Sequence, residues 1–177
     1  STPLVDSLLS VRYALYSEYI PNTDLVNYIQ ESGGTYLYEN LYTLPLGFVL
    51  PYDLADNWQY QMENPAEVQN DLCLLLGTDD VLVPVETEVS GSGCTFTADM
   101  AGEYYVYIQN KKVKNVKASL PSGEKNFSNV DRGYLLEMGN LSEGSRITLT
   151  PGESGETLTA VHCERESRLS VCHPRLL

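Results

Sequence analysis

The chain has 177 residues, 24 Asp and Glu against 11 Lys and Arg, a formal net charge of -13, 42% apolar residues and 13 tyrosines. That composition furnishes the core of one ordinary domain, or of a domain with a small appendage, and excludes a disordered chain. Residues 1–100 hold 15 acids and one base, Arg12, a net of -14, whereas 101–177 hold 9 acids and 10 bases, a net of +1. Nucleic acid and anionic membrane surfaces are therefore excluded as direct partners, because both require clustered Lys and Arg.

No run approaches the roughly 18 apolar residues of a membrane span, and no charged leader precedes an apolar run. The piece reads as soluble, and its start at Ser1 rather than Met reads as processing or excision. Thr2-Pro3 followed by Leu4, Val5, Leu8 and Leu9 predicts a short helix to about Ser10. Val11–Tyr16 has the β-branched and aromatic content of a strand. Leu25–Gln30, with Thr23 or Asp24 as cap and Gly33-Gly34 as stop, reads as a second helix. Thr35–Glu39 and Pro45–Leu50 are further strand candidates.

The strongest helix signal is Asn64-Pro65-Ala66-Glu67, which combines an N-cap, a proline at the first helical position and the third residue of a capping box. Val68, Leu72, Leu75 and Leu76 form its expected apolar stripe, and Gly77 its stop. From residue 81 the period becomes two. Segments 81–85, 94–98, 103–108, 113–118, 133–137, 146–150 and 157–161 read as seven short strands separated by Gly, Pro and Asn turns. The expected fold class is α+β, mainly β: an antiparallel, jelly-roll-like β-sandwich over 81–161, preceded by a mixed helix and strand part over 1–80. Residues 162–177, where the composition changes, read as a non-native or disordered tail whose removal leaves stability unchanged.

The tail holds both histidines and two of the four cysteines, as His162-Cys163 and Cys172-His173. Adjacent ligands do not match the gaps with which a zinc knuckle wraps its metal, so no metal and no cofactor are expected. Cys73 and Cys94 read as free thiols rather than parts of a disulfide framework. No nucleophile elbow, zincin, phosphate-loop or dinucleotide motif occurs, and the body of the fold contains no histidine for a Ser-His or Cys-His pair. Acid pairs such as Asp79-Asp80 are too common among 24 carboxylates to specify a glycosidase. No catalytic residue is assigned. The candidate ligand site is instead Tyr52, Trp58 and Tyr60 beside Asp53, Asp56 and Asn57, flat rings and hydroxyl acceptors suited to a neutral sugar. The competing reading has those rings covering a junction inside the domain.

Three segments in this order, Ser1–Tyr13, Tyr38–Phe48 and Asn64–Asn70, resemble the extracytoplasmic region of the YfhO family of bacterial membrane proteins. The resemblance implies an outward-facing accessory domain cut from between transmembrane helices of a glycosyltransferase-like parent. Such parents take sugars from a polyprenyl phosphate carrier and decorate cell-envelope polymers such as teichoic acids. It also implies the extracytoplasmic face of a bacterial plasma membrane and the parent's own membrane portion as partner, beside the neutral glycan that the aromatic cluster suggests. The family's catalytic acids lie in loops that no segment here matches. The alternative function is an independent carbohydrate-binding or adhesion module.

Overall fold

The computed structural model describes residues 2–22 and 25–167. The fold is α+β and mainly β, with antiparallel sheets and a few short helices. Two compact units divide between Tyr52 and Asp53, rather than near residue 80, where the period changes. The segment 53–80 belongs with the sandwich because its helix packs on a sandwich strand, as described below.

In the first unit, α1 (Pro3–Leu8) is followed by β1 (Tyr13–Tyr16), β2 (Val26–Ser32) and β3 (Thr35–Asn40), which form a three-stranded antiparallel sheet in the order β1-β3-β2. The predicted helix over 25–30 is thus a strand. Its Gly33-Gly34 pair is not a helix stop but a two-residue hairpin turn: Ser32 pairs with Thr35, and both glycines have left-handed φ, +58° and +78°. Residues with a Cβ rarely adopt that conformation, which is why such hairpins favour Gly-Gly. The cap residues Thr23 and Asp24 lie outside the described residues. Tyr38 is fully buried, its hydroxyl donating to Ile20 O and accepting from Ile20 N, both at 2.7 Å, and its ring meets Tyr16 and Tyr28 edge-on at 5.4 and 5.6 Å. Tyr38 and Leu4 are the buried apolar side chains among the described residues of this unit. No strand forms over 45–50, where Pro45 and Pro51 remove ladder donors.

The second unit begins with α2 (Leu54–Asn57) and α3 (Pro65–Leu75), then β4 (Leu82–Val85), β5 (Thr87–Ser90), β6 (Gly93–Thr97), β7 (Gly102–Ile108), β8 (Asn115–Leu120), β9 (Gly123–Ser128), β10 (Leu136–Leu141), β11 (Arg146–Pro151) and β12 (Val161–Glu166). They pair as two antiparallel sheets, β10-β7-β12-β4 and β5-β6-β11-β8-β9. One apolar core unites them, with Tyr104, Val106, Leu136, Met138 and Cys163 from the first sheet and Cys94, Phe96, Val116, Ile147 and Leu149 from the second. Phe96 and Tyr104 stack across it at 5.9 Å. Two sheets bury what neither could bury alone. Gly93 is required at its place because a Cβ there would lie 2.5 Å from Leu149 O on the neighbouring strand.

The expectation for 162–177 is corrected over its first part. Residues 162–166 lie in β12, an interior strand between β7 and β4, and Cys163, Glu164 and Arg165 are buried. Its charged composition reflects Glu164 and Arg165, which the strand carries into buried positions. Residues beyond 167 lie outside the described residues.

Candidate functional site

The N-terminus of α3 forms as its sequence predicts, with Asn64 Oδ1 accepting from Ala66 N at 3.0 Å. Asn64 is itself buried, and its Nδ2 makes a long 3.5 Å bond to Glu164 Oε1 on β12. The buried face of α3 is Ala66, Gln69, Leu72 and Cys73, not the expected stripe of Val68, Leu72, Leu75 and Leu76, and Leu74 is exposed. Asn70 fixes the helix to β4: its Oδ1 accepts from Val81 N and Leu82 N at 3.1 and 3.0 Å, and its Nδ2 donates to Leu82 O at 2.7 Å. One amide side chain thereby substitutes for a strand partner along the edge of the sheet.

Of the predicted sugar site, the structure brings together Trp58 and Tyr60, whose rings lie 5.9 Å apart and tilted. Asn57 Nδ2 donates to Asp53 Oδ2 at 3.0 Å, and Asp56 is exposed. Tyr52 is fully exposed and belongs to the first unit. Trp58 is half-buried, and its indole N–H donates to Val68 O of α3 at 3.0 Å, while Gln59 N donates to Asp71 Oδ2 at 2.7 Å. The indole therefore anchors the 58–60 segment to α3, and its one polar handle is committed there. Tyr60 keeps an exposed ring.

A second constellation went unread in the sequence. The sandwich core takes Tyr104, Val106 and Ile108 of β7 and Val161 and Cys163 of β12. Strand alternation sends Glu103, Tyr105 and Tyr107, and His162, Glu164 and Glu166, to the opposite face of the sheet. Tyr105 pairs with Glu164 and Tyr107 with His162 across the ladder, and the register carried one step further sets Glu166 beside Glu103. Burial raises all three carboxyl groups. Glu164 is pushed up to about 7 by desolvation, with Glu67 and Asp80 adding repulsion against the Asn64 hydrogen bond. Glu103 is pushed up to about 7 by desolvation and Glu137, opposed by its hydrogen bond to Asn140 and by Lys125. Glu166 is pushed up to about 8 by desolvation and Glu103. In sequence, alternating Glu164 and Glu166 look like a solvated strand face, whereas in the fold Glu164 is buried against Asn64 at the start of α3.

His162 and Cys163, a candidate ligand pair in sequence, point to opposite faces of β12: His162 lies 6.1 Å from the Tyr107 ring, and Cys163 is buried in the core with its thiol pushed up by desolvation. Cys172 and His173 lie outside the described residues. Among the described residues no group of three or more His, Cys, Asp or Glu could hold a metal ion, and Cys73, Cys94 and Cys163 are buried. No helix among the described residues is long and apolar enough to cross a membrane.

On the other face of β12, Arg165 Nε donates to Asp99 Oδ1 at 3.0 Å and the Tyr104 hydroxyl donates to the same oxygen at 2.6 Å. Burial works to raise the Asp99 carboxyl, but the Tyr104 bond and the Arg165 charge outweigh it and hold the group below its ordinary value. Comparison of the chain with protein-family models, with curated proteins and with solved structures finds no match.

Proposed function

We propose that the chain is a noncatalytic extracytoplasmic accessory domain of a polytopic, glycosyltransferase-like membrane protein that modifies cell-envelope glycopolymers. The observation that carries this reading lies inside the second of the three family-like segments and its continuation. Residues 41–52 contain no charged side chain in a chain of net charge -13. They leave Leu46 95% and Val49 81% exposed, with Leu41, Leu50 and Tyr52 also outside. A run of uncovered apolar side chains marks a surface that another apolar surface covers in the working protein. The membrane portion of the parent chain is the partner that the resemblance supplies, and its catalytic acids would lie there.

The test is the parent protein with and without this domain. A parent lacking residues 2–167 should insert into the membrane and lose modification of the polymer, and full activity without the domain contradicts the reading. A second reading, an independent carbohydrate-binding or adhesion module, is favoured by one observation, the exposed Tyr60 ring beside Trp58. Titration of the isolated chain with neutral glycans, followed by the fluorescence of Trp58, separates the two. Saturable quenching supports the module, and a silent Trp58 leaves its ring as an anchor for α3.

A further inference from the structure

We propose that one end of the sandwich, built from the β7–β8 and β9–β10 loops, is a binding surface for an acidic glycan. The inference is independent of the proposed function. It starts from a local reversal of charge that the count by halves conceals. Residues 109–132 hold six bases, Lys111, Lys112, Lys114, Lys117, Lys125 and Arg132, against the acids Glu124 and Asp131, a net of +4. The rest of the chain holds five bases against 22 acids, a net of -17.

The fold gathers four of these cations. Val113 and Val130, one from each loop, are buried in the core, and Val130 N donates to Lys114 O at 2.9 Å. Asn110 shapes the first loop: its Oδ1 accepts from Lys112 N and its Nδ2 donates to Thr157 O, both at 3.1 Å. In the second loop, left-handed Asn129 and Gly133 flank a single 3-10 turn, Val130–Arg132. That turn lies against Lys111, whose Nζ donates to the Tyr107 hydroxyl at 3.1 Å and would collide with a Cβ at position 133. Lys111, Lys112, Lys114 and Arg132 are all exposed, and among the described residues none of them enters an ion pair. By contrast Lys117 is paired with Glu124 at 2.7 Å. Asp131, half-buried, is the acid that the two loops contribute.

Four unpaired cations on two loops anchored in one core make a fixed positive field, which favours an anionic ligand. The acidic remainder of the chain repels that ligand, so approach is confined to this end. Tyr134 selects a glycan among anions. It stands two residues after Arg132 with its ring 40% exposed, and its hydroxyl donates to Ser128 O at 2.7 Å, which ties it to the residue preceding the turn. An open ring takes the apolar face of a sugar, and the neighbouring Lys and Arg donors take its acidic substituents.

The experiment is a calorimetric titration of the chain at low salt with a heparin oligosaccharide as the acidic glycan, and with neutral dextran and single-stranded oligothymidylate alongside. Heparin should bind saturably, and weaken about tenfold or more when salt is raised about threefold, as counterion release by four cations requires. Dextran should give no signal. Lys112→Glu, Lys114→Glu and Arg132→Glu should each weaken heparin binding several-fold. Arg146→Glu changes the net charge equally but lies at the other end of β11, whose Pro151 pairs with Val116 beside the patch, and it should bind as wild type does. Tyr134→Ala should lower affinity and leave the salt dependence unchanged. If one patch variant fails to fold, the other two carry the comparison. Absence of heparin binding at low salt, or equal losses in Arg146→Glu and the patch variants, overturns the surface. Oligothymidylate binding as tight as heparin, or an unchanged affinity in Tyr134→Ala, overturns its assignment to a glycan.

Discussion

Asn64 does two jobs with one amide, and its replacement separates local from tertiary effects. Asn64→Ala removes the α3 cap, at a cost of about 1 kcal/mol, and also leaves Glu164 without the bond that reaches it from the helix. Urea denaturation should show that loss, and it should grow with pH because an ionised Glu164 needs the partner more. A pH-independent loss would mean that the 3.5 Å contact contributes nothing. Glu67 is a different matter: it stands at the capping-box position but acts on Glu164 as a repelling charge. Beside Arg165, Asp99 is held below its ordinary carboxyl value, so its contribution is present above the unfolded value and fades as pH falls through the folded one. Asp99→Asn should flatten the acid side of a Tm profile below about pH 4, and an unchanged acid slope would show the corner to be idle. The cap of α3 was legible in sequence because capping is local. The role of Arg165 was not, because its partner Asp99 is 66 positions away and lies on the turn before another strand.

At the scale of elements, β12 is the most informative case. Val161 and Cys163 alternate into the core, but Glu164, Arg165 and Glu166 make the same strand look like a polar tail to any test based on apolar content. A strand whose second face is buried can carry acids there only at a pKa cost, and sequence patterns do not register that cost. Truncation supplies the check. A chain ending at Ala160 should fail to fold, since β7 and β4 lose their common neighbour, while one ending at Ser167 should retain a cooperative thermal transition. Native-like melting of the shorter chain would contradict the placement of β12 between them. The β2 hairpin teaches a related lesson: Gly33-Gly34 serves a helix stop and a hairpin turn equally well in sequence, and the pairing with β3 decides between them. Strands β6 and β11 are legible because apolar residues alternate along them, and β7 because an aromatic and β-branched run lies between turns. By contrast β5 and β9, exposed edge strands with little apolar content, left no period to read.

For the whole molecule, the acidic charge of the first hundred residues and the uncharged apolar run at 41–52 belong together. Charge of one sign opposes the approach of anionic polymers, and 41–52 is an uncharged stretch with exposed apolar side chains within that field. The sugar site predicted from Tyr52, Trp58 and Tyr60 was legible only as a cluster of rings. The anchoring of Trp58 to Val68 O depends on α3 folding back against the segment, which composition cannot express. The central claim is that the 41–52 run is covered by the rest of a membrane-bound parent. Its most direct test is Leu46→Glu combined with Val49→Glu, assayed twice. Both side chains are exposed, so the isolated chain should melt within the small range of ordinary surface changes, about 0.5 kcal/mol, while the parent carrying the same pair should lose polymer modification. Unimpaired parent activity, or an isolated chain destabilised by several times that amount, would contradict the account.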